Sequence, residues 1–324
     1  MLLVVLSAAP APTRTMTAMP WIALGVVYLL WGTTYLANRL IIASVPPLFA
    51  GGVRFLAGGA LLAVVVVVVA GPRVLRMTRA QFGTTALSGV LLPAWGNGLV
   101  STAQEQVASG LAALLIAAVP IYIVVLRRVS GDRPNRTTLA GVAVGVVGLA
   151  LLLLAGPSSG SGGVLGNAWW GPWLVLLAGL GWATGTFAAT RLPVPPNPFA
   201  MAAVQMLVGG AVLMVTSLAK GDRLDVAAVQ PVAWWAWAYM AVVVSLAGFG
   251  AFAYVLTKLP VSTASTYAYV NPVIAVLLGV LVVGERFSPV QMVGGAVVLV
   301  AVVLVVMAER PSRNGRGQVA ASPG

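Results

Sequence analysis

The 324-residue chain has no cysteine and no histidine, and only 7% of its residues are charged. Without cysteine there is no disulfide or thiol chemistry. Without histidine the usual proton carrier near neutral pH is missing, and so are most zinc sites. The only lysines are Lys220 and Lys258, and neither follows a glycine. A P-loop needs Gly-Lys, so nucleotide hydrolysis by that route is excluded. Six acidic residues, mostly between apolar runs, leave little for acid–base catalysis.

What fills the chain instead is apolar: 60% of the residues are hydrophobic. Soluble domains carry about 25% charged residues, so the composition is that of an integral membrane protein. The net charge of +12 does not signal nucleic acid, because the basic residues are spread over alternate loops, as membrane orientation requires.

Residues 260–308 hold two uncharged apolar runs around a short turn, Gly284-Glu285-Arg286. At about 1.5 Å per residue each run reaches roughly 30 Å, the thickness of bilayer hydrocarbon. Residues 108–154 repeat this hairpin, with Gly131-Asp132-Arg133 in the turn and Pro120 near the place of Pro272. RFLAGGALLAV at 54–64 matches QMLVGGAVLMV at 205–215, WGNG at 95–98 matches AGFG at 247–250, and WGTTYLANRL at 31–40 matches WATGTFAATRL at 182–192 with one gap. The chain is therefore read as a duplication.

Ten spans are expected, at about 20–41, 49–70, 82–101, 108–127, 137–155, 169–190, 198–219, 234–256, 262–283 and 289–308. Residues 1–19 are read as a cytoplasmic tail, in which Met16 or Met19 would also serve as a start. Residues 20–155 form the first repeat, 156–168 a Gly/Ser linker, 169–308 the second repeat and 309–324 a polar cytoplasmic tail. Thirteen of the 18 basic residues fall in loops on the side of the N-terminus. Both termini are expected in the cytoplasm. Five spans per half put the second half upside down, so the expected fold is all-α, ten transmembrane helices in two inverted five-helix repeats. That arrangement supports alternating access in many secondary transporters.

LLWGTTYLANRL at 29–40, PPLFAGGVRFLAGGALL at 46–62, VASGLAALLIAAVPIYIVVL at 107–126 and YVNPVIAVLLGVLVVGERFSPVQMVGGAVVL at 269–299 resemble the EamA-type modules of the drug/metabolite transporter superfamily. The resemblance covers about residues 20–308. It implies a ten-helix bundle with a central cavity, cytoplasmic termini and export of amino acids, metabolites or drugs. The first half departs from the pattern in having GDR for GER, with four arginines crowding that turn.

Polar groups inside spans are costly and face the bundle interior, where they bind ligand or join helices. Helical spacing gathers Trp31, Thr34, Tyr35 and Asn38 on one side of span 1. Asn97, Ser101, Gln104 and Glu105 share a side at the end of span 3. Glu105 would carry a proton or bind a substrate amine. The alternative leaves it solvated in a turn or capping span 4. Trp182 and Thr186 line up on span 6, Tyr254 ends span 8, and Tyr267 and Asn271 mark span 9, where Asn271-Pro272 frees a backbone carbonyl. All of these except Ser101, twelve in number, are candidate substrate-binding residues, against a reading in which they serve packing and interhelical hydrogen bonds.

Arg54 is placed at the outer end of span 2, snorkelling to the surface or attracting a carboxylate, and its repeat partner is Gln205. Gly141, Gly145 and Gly148 let a helix approach closely, within the bundle or in a homodimer. Glu285 and Arg286 are expected to pair locally.

These readings converge on a membrane-embedded secondary transporter in the cell membrane, with a small-molecule substrate and the lipid bilayer as partners and with no cofactor or metal. The rivals are a membrane subunit or receptor without transport and an intramembrane lipid-modifying enzyme. The second would need clustered carboxylates that the chain lacks.

Overall fold

The computed structural model describes residues 18–154, 169–259, 263 and 266–308. The Gly/Ser linker, nearly all of the N-terminal tail and the C-terminal tail lie outside these residues, as does Ser262 at the start of span 9. Helices alone form the described elements. Among the described residues eight helical stretches are long and apolar enough to cross a membrane: Met19–Ile42, Pro47–Ala70, Ser109–Val129, Arg136–Leu154, Gly171–Arg191, Pro198–Ala219, Pro231–Gly248 and Pro289–Ala308. Tyr267–Val283 is apolar but shorter, and Arg79–Ala103 opens on a polar turn.

Several of the helical stretches are built from pieces. The first is α1 (Met19–Gly32) and α2 (Thr34–Ile42), joined through Thr33. The second is α3 (Pro47–Ala70). The third runs from α4 (Arg79–Gly89) through a π-helical segment (Val90–Asn97) into α5 (Gly98–Ala103). The fourth is α6 (Ser109–Ile116) and α7 (Val119–Val129), and the fifth α8 (Arg136–Leu154). The second half follows the same order with α9 (Gly171–Arg191), α10 (Pro198–Ala219), α11 (Pro231–Ala238), a π-helical segment (Tyr239–Gly248), α12 (Phe249–Lys258), α13 (Tyr267–Val283) and α14 (Pro289–Ala308), α9 and α13 being single helices where the first half has two pieces. A π turn therefore interrupts the third stretch of each half. Pro93 accounts for the first, since it cannot donate to the ladder.

The ends of the helices repeat as well. Pro47 and Pro198 open α3 and α10, where the missing N–H costs nothing. Gly71 and Gly221 follow these two helices, and Gly131 and Gly284 follow α7 and α13, all at positive φ of 69 to 96°. Asn135 caps α8, its Oδ1 accepting from Thr138 N at 2.7 Å, and Ser288 and Gln291 form a reciprocal cap at α14.

Packing between the halves is reciprocal. Corresponding helices pair with each other: α3 with α10, α8 with α14, and α6 with α13. The α1–α2 span touches the α11–α12 span and α13, while α9 touches the α4–α5 span and the α6–α7 span. The two long seams run antiparallel. A Cβ at Gly52 would meet Met214 N at 3.0 Å, and one at Gly59 would meet Met206 Cβ at 2.9 Å, so residue numbers rise in α3 as they fall in α10. In α8, Gly141 faces Val305, Gly145 faces Ala301 and Gly148 faces Val298. That glycine face is covered within the chain by α14. Outward, Val68, Val69, Leu154, Val215 and Leu281 stay well exposed on the helices, a face suited to lipid and costly in water. The protein is a multi-pass membrane protein.

Candidate functional site

The residues singled out in the sequence separate into a polar knot, an aromatic cluster and a mouth at one end of the bundle. The knot joins α2 to the end of α5. Asn38 Nδ2 donates to Gln104 Oε1 at 2.5 Å, and Ser101 Oγ donates to Asn38 Oδ1 at 3.1 Å. Gln104 Nε2 donates to the Tyr35 carbonyl at 2.9 Å, and Arg39 Nη1 donates to the Gln104 carbonyl. Gln104 is fully buried, so each of these bonds replaces one that water would otherwise make. The knot holds the first and third stretches of the first half together.

Two neighbours in the same predicted group stay out of it. Asn97 ends the π-helical segment and donates to Leu92 O at 3.2 Å, five residues back in its own helix. Glu105 sits exposed in the turn before α6. Partial burial still raises its carboxyl above the ordinary value. The charge of Lys220 opposes that shift, and Asp222 adds to it.

The aromatic cluster joins α1, α12 and α13. The Trp31 ring centroid lies 4.9 Å from that of Phe252 and 4.8 Å from that of Tyr267, edge-on to the latter, and Phe252 and Tyr267 are 5.5 Å apart at 90°. Edge-to-face contacts suit the ring quadrupoles. Polar contacts flank the cluster: Tyr28 Oη bonds Thr266 Oγ1, and Thr33 Oγ1 bonds Tyr239 Oη at 2.6 Å. Thr34 turns back on its own helix, donating to Trp31 O at 2.6 Å. Tyr254 packs lower on the same seam, beside Ala23, Leu24 and Val255. Asn271 is buried in α13 just before Pro272, and its Oδ1 has no hydrogen-bond partner among the described residues.

Trp182 and Thr186 leave these groups. Trp182 packs on Gly96, where a Cβ would lie 2.9 Å from its Cε3. Thr186 lines a cavity of about 340 Å³ with Ile123, Arg127, Asp132, Phe187, Thr190 and Arg191. There Asp132 accepts from Arg127 Nε at 3.0 Å and from Arg191 Nη2 at 3.1 Å, tying the α7–α8 turn to the end of α9. The bond from Arg127, with Arg191 beside it, holds the Asp132 carboxyl below the usual carboxylate range.

The expected local pair of Glu285 with Arg286 is not what forms. Glu285 is 4% exposed, and it reaches the start of α6. Its carboxylate accepts from Ser109 N at 2.7 Å, from Ser109 Oγ at 2.7 Å and from Gly110 N at 3.0 Å. The first N–H groups of a helix have no intrahelical acceptor, and the helix dipole favours an anion there, so a buried carboxylate gains more at α6 than beside Arg286. The repeated GER/GDR turn was the sequence signal for this contact. Its partner could not be read off, because Ser109 lies 176 residues away. Arg39 was likewise visible only as a charge at a span end.

The EamA-like transporter family model matches residues 18–154 and again residues 169–307. The chain belongs to that family. An uncharacterized inner membrane transporter, YedA, of Escherichia coli (strain K12) is 36% identical over 286 residues, 88% of this chain and 90% of that protein. A probable terminal-alkyne amino-acid exporter of Streptantibioticus cattleyicolor is 28% identical over 81% of this chain and 84% of its own length. A probable amino-acid metabolite efflux pump of Salmonella typhimurium is 24% identical over 90% and 95%. A crystal structure with 18% sequence identity has the same fold, with a TM-score of 0.61 over 90% of this chain and 99% of that one. The EamA-type assignment makes this protein a membrane transporter.

Proposed function

We propose that this EamA-type protein is a secondary transporter that exports small amphipathic metabolites, amino acids or drugs by alternating access. In this reading ten spans form two inverted five-helix repeats around a central site, with both termini in the cytoplasm. The observation that carries it is the antiparallel packing of equivalent helices, α3 on α10 and α8 on α14, together with the reciprocal contacts between the halves. Two like units of opposite direction can exchange shapes at similar energy, so a site between them opens to either side in turn.

The residues gathered between the helices suit the substrate class. The cluster of Trp31, Phe252 and Tyr267 offers apolar surface, and the buried knot of Asn38, Ser101 and Gln104 fixes the helices beside it. The relatives described as an amino-acid metabolite efflux pump and a terminal-alkyne amino-acid exporter support a substrate of this kind. No transfer chemistry is assigned to the chain.

Reconstitution in liposomes tests the function. Purified protein is expected to give counterflow of at least one amino acid or amphipathic metabolite. Absence of counterflow across a broad panel would favour a non-transporting subunit or receptor. Reporters fused after residue 160 and at the C-terminus test the inversion. They are expected on opposite sides of the membrane, and the same side for both would remove the paired design.

A further inference from the structure

Arg54 is a cation to which the chain supplies no counter-ion among the described residues. It lies on α3 in the stripe Ala50, Arg54, Gly58, one helical turn apart each. Both ends of that stripe are set against the α11–α12 span. Trp237 Nε1 donates to the Ala50 carbonyl at 2.9 Å, and a Cβ at Gly58 would lie 2.7 Å from Ser245 Oγ. Arg54 thus falls level with the start of the second π-helical segment, within the membrane-crossing part of the helix.

Its Nε is buried and makes no hydrogen bond, and its guanidinium stands 4.6 Å over the Phe55 ring. The residue as a whole is only partly covered, and of its three nitrogens Nε alone is both buried and unpaired. It does not reach away to a protein acid. Glu285 is taken by α6, Asp132 by Arg127 and Arg191, Asp222 by Ser217 and Asp225 by the amide of Ala227, while Glu105 is exposed in its turn. A guanidinium does not discard its proton, so it stays charged wherever the fold puts it, and an unpaired charge in a span is costly.

The fold does not need the charge. The equivalent stripe of α10 carries Gln205 beside Gly209. A Cβ at Gly209 would lie 2.3 Å from Pro93 Cγ, and one at Gly89 would lie 2.8 Å from the Gln205 carbonyl. That stripe therefore meets the first π-helical segment just as α3 meets the second. A neutral amide fills the same post in one half and a cation in the other.

We infer that Arg54 pairs with a carboxylate of the transported molecule, which makes the substrate class amphipathic monocarboxylic acids, zwitterionic amino acids included. The inference rests on the transporter reading above. A single guanidinium beside an aromatic ring fits one carboxylate with an apolar body. A phosphate ester would draw on several cations.

The test uses the full chain in detergent, with its unfolding temperature read against L-phenylalanine, L-methionine and hydrocinnamate, each beside its carboxamide. The wild type is expected to respond to at least one acid about tenfold or more tightly than to the matching amide, the loss expected when a charge-assisted hydrogen bond goes. Arg54→Gln is expected to fold, to unfold no lower than the wild type without ligand, and to treat acid and amide alike, while Arg54→Lys keeps the preference. Equal response of the wild type to acids and amides overturns the inference. So does an Arg54→Gln protein that fails to fold or keeps the preference, because the arginine would then be structural. If the Arg54→Gln effect appears only in vesicles containing phosphatidylglycerol and no acid binds, a lipid headgroup is the partner and the inference fails. Counterflow in liposomes separates the two readings. Acid binding without counterflow removes the transporter reading and leaves Arg54. Counterflow of acids and amides alike, unchanged in Arg54→Gln, removes Arg54 and leaves the transporter.

Discussion

Glu285 and Asp132 occupy the same post in the two halves and do different work. The glutamate is buried and satisfies two backbone donors and a hydroxyl at the start of α6. The aspartate, one methylene shorter, stays among arginines at the surface. Glu285→Ala leaves those donors unpaired in a water-poor site and is expected to cost about 3 kcal/mol or more in unfolding free energy. Glu285→Gln keeps one acceptor but turns an amide N–H₂ toward a donor, and about 1–3 kcal/mol is expected. Chemical denaturation of both variants in the same detergent checks the order. Glu105 makes a different prediction. Its carboxyl is pushed up by partial burial. If export is proton-coupled through it, Glu105→Gln flattens the pH profile of transport in liposomes. An unchanged profile removes the role.

Glycine decides how helices meet. Along α8 and α14 the backbones approach so closely that a Cβ at Gly148 would lie 2.8 Å from both Val298 Cγ2 and Val298 N. A backbone atom cannot swing aside as a side-chain tip can. Gly148→Val is therefore expected to cost about 1–3 kcal/mol through overpacking. Gly25 has nothing within 4 Å of its Cβ position, so Gly25→Ala is expected to be neutral or slightly stabilising through helix propensity. Thermal unfolding of the pair separates seam glycines from free ones. The π-helical segments work at this scale too. By adding a residue to a turn they rotate the C-terminal part of the span. In the first half this phase brings Ser101 and Gln104 to Asn38 while leaving Asn97 bonded within its own helix.

The described contact that ties one end of the two halves by charge is Asp132, from the first half, with Arg191, from the second, backed by Arg127. It sits at the mouth lined by Thr186 and Phe187. Exposed ion pairs contribute little to stability, so Asp132→Asn is expected to leave the unfolding temperature nearly unchanged. Its effect should appear in access. The chain has no native cysteine, so a single Thr186→Cys can report it. Maleimide labelling of that position is expected to speed up when Asp132→Asn is added, and an equal rate would mean the pair does not restrain this end. The Asp132 carboxyl is lowered, so the pair is complete above the ordinary carboxylate value and is lost only as pH falls through the lowered one. The thiolate fraction of the introduced cysteine falls as pH falls in both proteins, so it is the ratio of the two labelling rates, with and without Asp132→Asn, that is expected to stay flat across neutral and mildly acid pH.

The sequence by itself determined the membrane class, the duplication and the hairpin turns, because these follow from local apolar length and from motifs repeated along the chain. It also grouped Asn38, Ser101 and Gln104 as inward polar residues, since helical spacing is a local property. Tertiary structure decided which partners they took. Glu285 found α6, Gly148 found α14, Thr186 went to a mouth apart from Trp31 and Tyr267, and Arg54 met no acid among the described residues. These outcomes depend on contacts between segments far apart in the chain, where donors, close backbones and counter-ions are shared out by packing that no single stretch encodes.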